Sequence, residues 1–196
     1  YTGHIYNILK NYSKAEFYYN KVQISHNLYF ESQKKIAIMK AESGFFLEAE
    51  NNLINLLNIY NNNIDLIIAL ADLYRINQKY EEAIVYYSKS INLNNDTSLE
   101  LWRLYYLRGI CYERNQNWNT AEEDFLYSLN LNSNSPNVLN YLAYGWLERD
   151  INIDQALDML MKAYNSNPNS YYIIDSLAWA YYKKNELQKA LELMEE

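Results

Sequence analysis

Alanines stand at positions 15, 49, 83, 121, 156 and 190, so the intervals between them are 34, 34, 38, 35 and 34 residues. A second series of small residues, Gly3, Ala37, Ala71, Gly109, Ala143 and Ala178, runs ahead of the first by 12 residues, or 13 in the fifth copy. Small side chains at fixed spacing mark places where two helices approach closely, and a constant period means that one supersecondary unit recurs about six times along the chain. Such a unit cannot bury its apolar face alone and is stabilised by stacking on its neighbours. The expectation is a repeat array, not a globular enzyme with one central core.

An aromatic or aliphatic residue lies three positions before each alanine: Tyr12, Phe46, Tyr80, Trp118, Ile153 and Leu187. Turn-prone residues sit just ahead of most of these, at Asn11, Gly44, Asn77 with Gln78, Asn115 with Asn117, and Asn185. The pattern predicts helix pairs at 28–43 with 46–60, 64–77 with 80–93, 99–115 with 118–131, 136–149 with 153–166, and 171–184 with 187–196, after a remnant pair within 1–26. The fold class is therefore all-α. One domain is expected, with units at approximately 1–27, 28–62, 63–96, 97–134, 135–169 and 170–196, the spacing irregularities falling in loops near 94–98 and 150–154.

The residues fit a known consensus copy by copy. The fourth unit carries Tyr105, Arg108, Gly109, Tyr112, Ala121 and Phe125; the fifth carries Leu139, Leu142, Ala143, Trp146, Ala156, Leu160 and Pro168. The third reads Ile67, Leu70, Ala71, Tyr74, Ala83 and Tyr87, and in the second Lys40 replaces the aromatic. Over essentially its whole length the chain resembles the tetratricopeptide repeat (TPR) family. That resemblance implies a right-handed α-solenoid of antiparallel helix pairs whose first helices line a concave groove. It further implies a non-enzymatic scaffold that binds a peptide or partner protein there. By register the groove residues are Arg75, Arg103, Tyr106, Asn140, Tyr141, Tyr144, Tyr172, Asp175, Trp179 and Tyr182. The groove of the last three copies is aromatic, and Tyr, Trp and Arg are the types enriched at binding hot spots. The Lys/Asn/Asn/Lys/Arg set with which some family members clamp a carboxylate is absent. The segments 140–149, 154–157 and 175–182 resemble alphaproteobacterial-type TPR proteins, many of them exported or lipid-anchored; this implies a periplasmic or membrane-associated location, with the cytoplasm as the alternative.

Charge and composition narrow the partners. A formal net charge of -7 without a basic stripe argues against nucleic acid. Much of the acid falls in the first turns of second helices, at Glu48, Glu81, Glu82, Glu122, Glu123 and Asp154, where it complements the helix dipole. No apolar run is long enough to span a bilayer, so no membrane insertion is expected in this segment. The 22 tyrosines and the many Asn, Ile and Lys read as the product of AT-rich codons, since Lys outnumbers Arg by 12 to 5.

Catalytic and metal chemistry is scarce: His4, His26 and Cys111 share no ligand spacing, and Cys111 sits on a packing helix. The stretch Asp150–Asp154 begins like a calcium loop, but Gln155 and Met161 stand where Gly and Glu would be needed. Ser32-Gln33-Lys34-Lys35 matches S-x-x-K without its companion motifs, and the sequons at Asn11 and Asn95 are expected in an Asn-rich chain. No cofactor is expected. The chain opens in mid-helix and stops inside a second helix around Leu191, Leu193 and Met194, so it reads as a piece of a longer protein whose uncapped ends invite homo-association. Two other readings stay open: a structural or oligomerisation module, and the substrate-recruiting repeats of a larger bacterial cell-envelope enzyme.

Overall fold

The computed structural model describes residues 1–94 and 101–195. Among them lie twelve α-helices and no strand: α1 Thr2–Ile8, α2 Tyr12–Tyr19, α3 Tyr29–Glu42, α4 Phe46–Ile59, α5 Ile64–Ile76, α6 Tyr80–Leu93, α7 Leu101–Arg114, α8 Trp118–Leu131, α9 Pro136–Glu148, α10 Ile153–Ser166, α11 Tyr171–Lys183 and α12 Leu187–Glu195. They form six hairpins, the all-α repeat architecture that the period predicts. Tyr12, Phe46, Tyr80, Trp118, Ile153 and Leu187 are each the first residue of the second helix of a pair. The expected start of α7 at 99 lies outside the described residues.

The turn inside every hairpin follows one rule. Lys10, Gly44, Gln78, Gln116, Asp150 and Asn185 all take positive φ, between 54° and 83°. The N–H of each donates to a carbonyl three residues back, while the next N–H reaches five residues back, as in Asn117 N to Tyr112 O at 2.8 Å and Ile151 N to Trp146 O at 3.0 Å. These paired bonds satisfy carbonyls that the helix end would otherwise leave open. Only Gly44 does this without a Cβ penalty. The extra residue of the fifth turn is absorbed by a second left-handed residue, Asn152, directly before α10.

Asparagines that the sequence places in loops also start helices. The side chains of Asn11, Asn63 and Asn117 accept from Lys14 N, Leu66 N and Thr120 N, satisfying donors at the starts of α2, α5 and α8. Pro136 occupies the first turn of α9, where its missing N–H costs nothing.

The chain divides into two compact units, Tyr1–Asp96 and Thr97–Glu196. The division coincides with the longest alanine interval. In the first unit Gly3 lies against the Tyr19 ring, and Ala15, Tyr19, Ile36 and Met39 are buried together. Leu66, Ile67, Leu70 and Tyr87 are fully buried between α5 and its neighbours. The second unit has a continuous core in which Phe125, Leu142, Leu147, Leu160 and Ile173 are inaccessible to solvent and Trp102, Tyr106 and Trp118 pack at the margin. Cys111 is buried, as its helix position predicts. Among the described residues no helix is long and apolar enough to cross a membrane.

Candidate functional site on the second unit

Helices α7, α9 and α11 are the first helices of consecutive pairs, and their exposed faces enclose a concavity of ≈ 360 Å³. Its walls are Glu113 and Arg114 from the end of α7, Trp118 from α8, Asn140, Tyr141, Tyr144, Gly145 and Glu148 from α9 with Arg149 beyond it, and Tyr172, Asp175 and Ser176 from α11. The three-and-four residue stepping of α9 and α11 aligns Asn140, Tyr144 and Glu148 on one face and Tyr172, Asp175 and Ser176 on the next.

Two kinds of side chain line this pocket. One kind is committed to the protein. Tyr172 Oη donates to Asn137 Oδ1 at 2.7 Å, tying α11 to α9. Tyr141 lies edge-on to Tyr106 with ring centres 5.8 Å apart, and Arg114 reaches the Tyr141 hydroxyl at 3.4 Å. Arg149 lies 3.9 Å over the Trp118 ring and donates to Gly145 O at 2.9 Å. The Trp118 ring in turn packs where Gly145 leaves room; a Cβ there would stand 2.1 Å from the indole.

The second kind is left uncommitted. Asn140 is only 8% exposed, yet its Oδ1 has no hydrogen-bond partner among the described residues. A buried amide acceptor without a partner costs about 1–3 kcal/mol. Trp118 Nε1 is likewise buried and unpartnered. Tyr144 is exposed at the rim, and its phenol is pushed above the ordinary tyrosine value by burial and then by the negative charge of Glu148, Asp175 and Glu113.

The remaining groove residues read from the sequence distribute differently. Trp179 and Tyr182 stack at 5.2 Å and line a separate apolar concavity with Leu187, Leu191 and Met194 between α11 and α12, which Asp175 also borders. Tyr106 packs on Phe125 and Tyr141 as part of the core margin, and Arg103 is exposed in the first turn of α7. Arg75 belongs to the first unit, where it donates to Tyr87 Oη at 3.1 Å and Asp72 Oδ1 at 3.4 Å. The Tyr87 hydroxyl itself donates to Asp72 at 2.5 Å, closing a polar cluster inside the unit. Sequence register did not find Trp118, Gly145, Glu148 or Arg149 as pocket residues. Trp118 was legible only as a turn-opening wedge; the one signal for its second role is the glycine at 145, an otherwise unfavourable residue for the middle of a helix.

Among the described residues no group of His, Cys, Asp and Glu could hold a metal ion. The pocket surface is built from aromatic rings, amides and carboxylates carried on helices.

Helical hairpins repeated at a period near 34 residues define an all-α helical-repeat architecture, similar to that of tetratricopeptide repeat proteins. The tetratricopeptide repeat model matches residues 3–23 and 64–97. A TPR repeat-containing protein of Pseudomonas aeruginosa is 24% identical over 111 residues, a match that takes in 50% of this chain and 19% of the relative. This chain thus spans less than a fifth of that curated relative's length. The crystal structure of a tetratricopeptide repeat protein from Parabacteroides merdae superposes with a TM-score of 0.79 at 20% identity, covering 98% of this chain and 75% of that one. YrrB, described as a TPR protein with an unusual peptide-binding site, superposes with a TM-score of 0.64 at 15% identity, covering 94% and 89%. These likenesses establish the repeat fold.

Proposed function

We propose that this chain is a non-enzymatic interaction module that holds an extended segment of a partner protein in the pocket between α7, α9 and α11. The observation that carries the reading is the Asn140 carboxamide, buried to 8% exposure on the pocket wall with its oxygen unpartnered. A peptide group presents a donor and an acceptor side by side, and a side-chain amide can answer both. Around it Tyr144 and Tyr172 offer rigid amphipathic surface at low entropic cost, while Trp118 supplies a second unpartnered group, a donor. The scaffold role is typical of the fold, and YrrB offers a peptide-binding precedent on it.

The test is selection of short peptides from a displayed library on the full chain, followed by binding of the retained sequences to a Tyr144→Ala, Tyr172→Ala variant. Retained peptides should lose at least about 2 kcal/mol of affinity when two hot-spot aromatics are truncated. Undiminished binding to the variant would move the site elsewhere.

A second reading concerns homo-association. Leu187, Leu191 and Met194 of α12 are exposed beside Trp179, whose Nε1 is buried without a partner. An apolar helix face of this kind associates with another apolar surface. Sedimentation across a concentration series should show self-association that Leu191→Glu removes; a monomer throughout would dismiss it.

A further inference from the structure

The charge on the pocket wall identifies what kind of segment it accepts, an inference that rests on the groove reading above. Three carboxylates and two guanidinium groups line the pocket. Both cations are occupied: Arg149 is stacked on Trp118 and bonded to Gly145 O, and Arg114 pairs with Glu113 at 3.5 Å and reaches the Tyr141 hydroxyl. Among the described residues the cations nearest the pocket pair elsewhere, Arg114 with Glu113 and Lys183 with Asp150, and Glu148 is answered by the Tyr144 hydroxyl. Their charge is felt on the intervening Tyr144 phenol, whose proton is held more tightly for that reason as well as by burial. The unpartnered Asn140 oxygen adds a further acceptor on the same wall. Acceptors and negative charge therefore dominate what is left open, against the rings of Tyr144 and Tyr172, which attract a cation through their faces.

We propose that the pocket takes a lysine or arginine side chain of an extended peptide, its cation lying against the Tyr144 and Tyr172 rings and shared between Asp175 and Glu148. An acidic segment would meet two carboxylates, and a purely apolar one would leave the Asn140 oxygen and Asp175 unanswered while removing their water. A chain of net charge -7 also draws basic segments toward it from a distance.

The experiment takes peptides retained by the full chain from an unbiased displayed library and measures their affinity by fluorescence anisotropy, alongside versions with each Lys changed to acetyl-lysine and each Arg to citrulline. Neutralising one particular cation should weaken binding about tenfold, raising salt should weaken the parent peptide more than the neutralised one, and Asp175→Asn should erase the difference between the two. Asp175 is exposed, so that variant keeps its fold. Retained peptides that lack Lys and Arg, that favour acid, or that bind equally well when neutralised overturn the cation assignment and leave the groove standing. If the full chain retains no peptide that an Asn140→Leu variant fails to retain, the groove reading falls and the cation assignment falls with it.

Discussion

The Trp146 indole on α9 donates to Glu122 Oε1 on α8 at 2.6 Å. The same offset of 24 residues joins Tyr74 Oη to Glu50 Oε1, also at 2.6 Å. It recurs a third time as an ion pair, Lys40 Nζ to Glu16 Oε1 at 3.2 Å. In each case the acceptor is the glutamate immediately after a period-setting alanine, and the donor projects from the first helix of the following hairpin. The position that the repeat consensus fills with an aromatic residue is thus a donor position, and lysine serves there because its ammonium reaches the carboxylate. Lys40 also pairs with Glu48 at 2.9 Å.

Trp146→Phe should retain the packing of a residue that is 4% exposed while removing its N–H. Hydrogen bonds to charged groups contribute about 1.5–3 kcal/mol, so urea unfolding should show a loss of about 2 kcal/mol, with a similar loss for Tyr74→Phe. The Lys40 pairs lie nearer solvent, and Lys40→Met should cost under about 1 kcal/mol.

Arg108 and Asp124 form a bidentate pair, with bonds of 2.8 and 2.7 Å, and the carboxylate is 6% exposed. Asp124→Ala takes away the buried carboxylate that answers the Arg108 guanidinium between the Tyr105 and Tyr112 rings and should cost about 3–5 kcal/mol. The double variant Arg108→Met, Asp124→Leu should recover most of that loss, because replacing both partners with apolar side chains removes the buried charge. Chemical denaturation of both variants checks the pair.

Two glycine substitutions separate crowding from backbone strain. Gly145→Ala drives a methyl group into the Trp118 ring and should destabilise by about 2 kcal/mol while shifting tryptophan fluorescence, since the ring must leave its place under Arg149. Gly44→Ala meets nothing within 4 Å but holds φ at +83°, so its loss of about 1 kcal/mol should come with unchanged fluorescence.

Alkaline pH should unfold the protein earlier than exposed tyrosines alone would. Burial raises the pKa of Tyr19, Tyr74, Tyr87, Tyr105 and Tyr144 above the ordinary 10.0, with Glu50 adding to the rise at Tyr74 and Asp72 at Tyr87. A group whose native pKa is raised binds its proton more tightly in the folded state. Its contribution is intact below about pH 10 and is lost as pH climbs from there through the native value. Urea midpoints should therefore be level from about pH 8 to 10 and fall steeply beyond. A midpoint that holds above about pH 11 would show these phenols to be solvated.

Helix starts were legible because they rest on side-chain size and type: the small residues at Gly109 and Ala143 and the wedges at Trp118 and Ile153 each fix a place where backbones meet. The turns were less so. Lys10, Gln78, Gln116 and Asp150 hold left-handed conformations that local preference assigns to Gly or Asn, and it is the paired backbone bonds and the packing of both helices that impose them. The pocket was partly legible. Helical register brought out Asn140, Tyr144, Tyr172 and Asp175, because side chains three and four apart share a face. It could not bring out Trp118 and Arg149, whose place depends on contact between the turn of one hairpin and the glycine of the next.

The most direct test of the account is the Asn140→Leu variant, measured for both stability and peptide binding. If the carboxamide is kept for a partner and not for the fold, leucine of nearly the same shape should leave the unfolding free energy unchanged or raise it by about 1–2 kcal/mol, while binding of library-selected peptides is lost. A variant that is destabilised, or one that binds those peptides as the native chain does, would contradict it.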